Sequence, residues 1–275
     1  MVKKKPLSSL YSYLDSRNLN YKYVLFFTAA SLLVSYLGIL FIDVFNFFGL
    51  RNLFSNYTVP FFWDFVFREG SVVEVLQWSF LFLFVIFSFF LSERMKENDK
   101  GRVFWLLFGF AGIFMLAEDA LNIRHVLIRN PYFPWYTQNI IETLYFGLLG
   151  VLPVLAVVKY RKPVFKDVTT KKILIFAFIF YSSAALLSGP VELTDIDTEI
   201  GNSFHSLFSS LGGEDYIESY EEGVRRIEER EKEYSMVLMD MPTRFTDYVV
   251  EESLELIGAT LLFTSALSFK QFTEL

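Results

Sequence analysis

Six apolar runs of roughly bilayer length alternate with polar connections along this chain, at residues 23–42, 72–91, 103–121, 139–158, 173–191 and 249–269. Crossing ~30 Å of hydrocarbon at about 1.5 Å per residue takes roughly 20 residues, which each run approaches. The pattern predicts an all-α, polytopic membrane protein with six transmembrane helices. Residues 1–191 form the five-helix part of the bundle and 192–246 an acidic extracytoplasmic helical segment. Residues 247–275 supply the sixth helix and a cytoplasmic tail. The first run is longer than a secretory h-region and no small-x-small site follows it, so it is read as a retained span.

Basic residues set an orientation. Five precede the first run (Lys3, Lys4, Lys5, Arg17 and Lys22), and the next four connections carry two, four, two and six. Connections rich in Lys and Arg stay cytoplasmic, so both termini are expected there, in the cell membrane. The fifth connection is long, and long segments cross largely regardless of charge. The aromatic clusters "PFFWDF" and "PYFPWY" fall on the outer side, where interfacial Trp and Tyr anchor helices.

Within 192–246, Phe204, Leu207, Phe208 and Leu211 form one helical stripe that stops at Gly212–Gly213. Ile217, Tyr220, Val224, Ile227 and Tyr234 then follow near-heptad spacing, supported by Glu221–Arg225, Glu222–Arg226 and Glu228–Lys232 pairs. This stripe is expected to lie on the bundle or to meet a protein partner.

Helix length places acids inside the bilayer. Residues 256–269 give only about 21 Å of helix, so Glu255, Glu252 and Glu251 fall at membrane depth. Measured from their cytoplasmic ends, three further runs reach Glu118 and Asp119, Glu142, and Glu74 after about 22, 24 and 26 Å. Asp43 and Glu192 lie at the outer rim. At 100° per residue Glu118, Asn122 and His125 share a face, with Asp119 pointing away. An isolated ionisable group at this depth costs ~2.5–3.5 kcal/mol, so these faces should turn inward. The expected pocket is Glu74, Glu118, Asn122, His125, Glu142, Glu252 and Glu255. Arg68, Arg124, Gln77, a bound cation or retained protons are its candidate partners. The structural alternative is that acids at helix N-termini only complement the helix dipole, which would cover Glu74, Glu142 and Glu251 but not Glu118 and Asp119.

Composition narrows the classes. Hydrophobic residues make up 53% of the chain and aromatics 19%, against about 45–50% apolar in soluble domains. Mean hydropathy is +0.37. Cys is absent, which removes disulfides, thiolate metal sites and a cysteine nucleophile. No basic patch interleaved with aromatics points to nucleic acid. The segment "EDALNIR", with Glu118, Asp119 and Arg124, resembles the glutamate-pair and arginine motif of CAAX-type membrane proteases. It departs from that motif at Asp119, at the spacing to Arg124, and in lacking the later-helix histidines that the chemistry needs. Two histidines, His125 and His205, are also too few for the histidine-rich zinc hydrolases of membranes.

The expected function is a carboxylate-rich polar pocket near the outer face that binds or moves a cation or protons, with a divalent cation as a candidate ligand. One alternative is a membrane-embedded hydrolase or transferase acting on a lipid or peptide, with Glu118 or Glu255 as general base. The other is a non-catalytic assembly protein. Orientation is directly testable in this Cys-free chain. Single cysteines at Ser92 and Ser210 should label from opposite sides with an impermeant thiol reagent. Labelling of both from one side would contradict the basic-residue pattern.

Overall fold

The computed structural model describes residues 19–54, 61–68, 70–97, 99–121, 135–187, 196–233 and 240–273. The side chains of residues 54, 135–139, 142, 143, 146 and 230–233 lie outside that description. Ten α-helices are described: α1 Tyr21–Gly38, α2 Arg51–Phe54, α3 Phe62–Phe67, α4 Val72–Arg94, α5 Lys100–Leu121, α6 Trp135–Leu155, α7 Val168–Leu187, α8 Ile196–Glu233, α9 Met241–Phe245 and α10 Glu252–Thr273. π-helical turns extend α1 through Ile39–Val44, follow α6 at Ala156–Tyr160 and precede α10 at Thr246–Glu251.

The expectation of six spans is corrected here. Among the described residues, four helical stretches are long and apolar enough to cross a membrane: Tyr21–Val44, Phe62–Arg94, Lys100–Leu121 and Val168–Leu187. In the expected fourth span the apolar helix among the described residues is the shorter Gly147–Tyr160, which follows residues whose side chains lie outside that description. In the expected sixth, α10 carries Glu252, Glu255, Lys270 and six Ser or Thr residues. That composition suits a helix enclosed by protein rather than one facing lipid. The surrounding helices bury Ser253, Thr260, Thr264, Ser265 and Ser268. Four of those hydroxyls donate to carbonyls of the preceding turn, from Ser253 to Val249, Thr260 to Leu256, Thr264 to Leu261 and Ser265 to Leu262, so their burial leaves no donor unmet.

The architecture is an all-α bundle arranged around α10. That helix packs along α7, α4 and α1, while α5 lies along α4 and α6 lies on α5. Aromatic rings fill the core, with Phe84 edge-on to Phe108 at 6.2 Å and Phe87 edge-on to Phe263 at 5.5 Å. Polar pairs fix the helices' register. Thr28 bonds Thr260 at 3.0 Å and Tyr36 bonds Ser253 at 3.0 Å, both between α1 and α10. Asp167 accepts from the Thr169 and Thr170 main-chain N–H groups at the start of α7, and from Ser268 of α10 at 3.2 Å. The outward faces are apolar: Phe26 is 74% exposed and Val34 69%. Apolar patches of this kind on four long helices mark a multi-pass membrane protein.

The α8 segment clamps one end of the bundle. Its chain breaks at Gly213 (φ 64°, ψ −151°), a conformation that costs glycine least. Before the break, Phe204 and Phe208 pack on Phe245. After it, Tyr216 and Ile227 are buried and Tyr220 and Val224 pack on the core, while Ile217 stays 40% exposed. The Tyr234 end of that stripe lies outside the described residues. Asp43 caps α3 by accepting from the Phe62 and Trp63 N–H groups at 2.8 and 3.0 Å. Arg51 ties the same corner to α8, donating to the Asp43 carbonyl at 2.6 Å and the Asp215 carbonyl at 3.2 Å. His205 stacks on Tyr220 at 3.9 Å, and burial holds its imidazole below the usual histidine range. It is a packing residue there. Ser92 is only 3% exposed, so the neighbouring Glu97, whose side chain is 91% exposed, replaces it as the labelling position at the end expected to be cytoplasmic.

Candidate functional site: a buried carboxylate cluster

The cluster forms where α4, α5 and α10 meet. Gln77 on α4 is fully buried, and its amide nitrogen donates to two carboxylates from different helices. The bonds run to Asp119 Oδ2 of α5 at 2.8 Å and Glu255 Oε2 of α10 at 2.7 Å. One NH₂ group has two hydrogens, so both are used and the two acids sit side by side. Glu118 turns the other way, accepting from the Tyr145 hydroxyl of α6 at 2.7 Å. Adjacent residues on α5 therefore reach opposite neighbours. Asp119 does point away from Glu118, as expected, but it was left out of the expected pocket and it borders the cavity. The 100° between neighbours separates their partners, yet both still border the space enclosed by the surrounding helices.

On α10 the π turn ends at Glu251 and the α-helix begins at Glu252. Such a turn inserts an extra residue into the helical register, and π turns recur at functional sites. Glu251 is buried. Glu252 Oε2 is enclosed and has no hydrogen-bond partner among the described residues, as is true of Gln77 Oε1 and the Tyr181 hydroxyl. Among the described residues, the charges acting on Asp119 are the acids Glu255, Glu118 and Glu74, and those acting on Glu252 are the acids Glu255, Glu251, Glu74 and Asp119.

Glu74 has a structural task as well. Its carboxylate accepts from the Gly70 N–H and its own N–H meets the Ser71 hydroxyl, closing the first turn of α4 as a capping arrangement does. Arg68 uses its main chain at the end of α3, accepting from the Ser71 N–H at 2.9 Å, and its side chain makes no ion pair with the cluster among the described residues. Asn122, Arg124 and His125 lie outside the described residues, as does the side chain of Glu142. The sequence also gave no sign of Tyr145 and Tyr181, because a tyrosine in an aromatic-rich helix carries no positional signal.

Below the acids lies a cavity of about 170 Å³ bounded by α4, α5, α6, α7 and α10. Glu118, Asp119, Glu255, Tyr181 and Ser182 form its polar part, and Phe84, Phe108, Phe178, Leu149 and Leu262 line much of the rest. Among the described residues no group of His, Cys, Asp and Glu side chains is arranged to hold a metal ion. The class defined by fold and site is thus an all-helical, multi-pass membrane protein with clustered buried acids. No family model, curated protein or solved structure matches the chain.

Replacing Gln77 by Leu removes both bonds to the carboxyl groups of Asp119 and Glu255 and should destabilise the protein by about 2–4 kcal/mol. In a double-mutant cycle with Glu255→Gln, the two changes should couple by at least ~0.5 kcal/mol, measured by denaturant unfolding in detergent. Additive effects would separate the two side chains.

Proposed function

We propose that this membrane protein binds and exchanges protons or a cation at the Asp119–Glu255 pair, with Glu118 and Glu252 beside it. One observation carries the reading: two half-buried carboxylates from different helices share a single neutral amide, and among the described residues the charges acting on Asp119 are acidic. Like charges this close in a low-dielectric interior repel by several kcal/mol, and Gln77 adds no positive charge. A proton held on the pair or a cation beside it would relieve that repulsion. Acids in membrane interiors mark proton and ion pathways for the same reason. A site near the outer face, in a chain with cytoplasmic termini, would exchange with the outer side.

Infrared difference spectroscopy on protein in nanodiscs tests this directly. At neutral pH and without added metal, a protonated carboxyl band should be present and should weaken in Asp119→Asn and in Glu255→Gln. A fully ionised cluster in protein shown to be free of bound cations would overturn the proposal.

A further inference from the structure

The corner that joins α1 to α8 displays phenylalanine where a water-facing turn would carry polar residues. The chain leaves α1 through its π turn and runs into α2 as Phe45, Asn46, Phe47, Phe48, Gly49 and Leu50. Phe48 is 89% exposed and Leu53 79%, while Phe45 and Phe47 are half-exposed. From Phe45 to Leu53 the one charged side chain is Arg51, and it is buried. Phe61 and Trp63, from the aromatic cluster expected at the membrane interface, are themselves buried. The neighbouring loop presents its rings instead.

The loop is held in a strained shape. Asn46 (φ 44°) and Phe48 (φ 54°) both occupy the left-handed region, where a bulky residue persists only if its surroundings fix it. Here the Gly49 N–H donates to the Asn46 carbonyl at 3.0 Å and the Leu50 N–H to the Phe47 carbonyl at 3.1 Å. The Asn46 side chain accepts from the Arg51 N–H at 3.1 Å. With these donors satisfied inside the loop, an apolar surrounding costs its backbone less. The Arg51 guanidinium donates to the carbonyls of Asp43 and Asp215, fixing the loop to α1 on one side and α8 on the other. The rings also continue the outward face of the first span. Phe41, 46% exposed on that span, lies 5.7 Å from Phe47, and Phe47 meets Phe48 edge-on at 4.4 Å. Val34, about two turns before Phe41, is also exposed.

We propose that residues 45–53 form an aromatic wedge seated in the headgroup–acyl boundary of the leaflet that α1 enters, with Arg51 coupling that seat to α8. Continuity with the exposed face of the span identifies the occupant as lipid, because the row Phe41, Phe47, Phe48 extends an apolar surface that already faces hydrocarbon. A wedge with no exposed charge makes no demand for anionic headgroups, so its partner is the apolar boundary itself. This surface is built from residues other than the Asp119–Glu255 pair, and its seat in the leaflet does not depend on what that pair binds.

Paramagnetic resonance on single spin-labelled cysteines, with the protein in phosphatidylcholine liposomes, reads depth from collisions with oxygen and with a water-soluble nickel chelate. Phe26→Cys, 74% exposed on the span, gives the hydrocarbon reference, and Glu97→Cys, whose side chain is 91% exposed, the aqueous one. A label at Leu53→Cys should favour oxygen over nickel, toward the Phe26 end of that scale. Adding Phe48→Asp should shift it toward the Glu97 value. Phe48→Gly, which suits the left-handed backbone, repeats the loss of the ring should Phe48→Asp misfold. Replacing part of the phosphatidylcholine with phosphatidylglycerol should leave the Leu53 value unchanged. A Leu53 label with the Glu97 value, a depth that needs anionic lipid, or a value unmoved by both Phe48 variants would each overturn the proposal. Protection of the label from both probes would overturn it too, and spin–spin broadening would then assign the patch to a second copy of this chain.

Discussion

A helix that brings carboxylates into the middle of an apolar bundle must find donors for them, and Gln77 is the donor around which this structure is arranged. Its amide reaches Asp119 and Glu255 from a third helix, so α4, α5 and α10 are held at one register by two hydrogen bonds. A neutral bridge satisfies geometry without cancelling charge. A lysine or arginine at position 77 would have made the cluster an ordinary buried ion pair. The glutamine adds no charge of its own, and in the proposed reading a proton or a cation balances the pair.

The rest of the molecule supports that meeting point. The π turn before α10 sets the register at which Glu252 and Glu255 enter the bundle, and that turn packs against α8. Asp43, capping α3, and Arg51, reaching across to Asp215, lock the α8 clamp to the first helix. On another flank, α6 and α7 supply walls of the cavity beside the acids through Leu149, Gly150, Pro153, Tyr181 and Ser182.

Much of this was legible in the sequence, for identifiable reasons. Helix length alone brought Glu74, Glu118 and Glu255 to one depth, because rise per residue is nearly constant. The stop at Gly212–Gly213 was legible because glycine tolerates the positive φ that Gly213 adopts there. The number of spans was not. Apolar run length treats residues 249–269 like a lipid-facing helix, whereas α10 hides its hydroxyls and acids inside protein, and hydropathy cannot separate the two environments. Asp119 was left out of the expected pocket because helical angles give a side chain's direction but not which neighbouring helix will be there to receive it. Glu74 shows the reverse case, an acid at the expected depth whose capping of its own helix is visible only in the structure.

The central claim is that Asp119 and Glu255 adjoin one another inside the bundle. The absence of native cysteine allows a direct measurement: Asp119→Cys with Glu255→Cys, treated in native membranes with a mercuric ion or a short bifunctional maleimide. The account predicts efficient intramolecular cross-linking of this pair, and none between Asp119→Cys and Ser268→Cys near the far end of α10. Failure of the first pair to cross-link, or equal cross-linking of both, would contradict it.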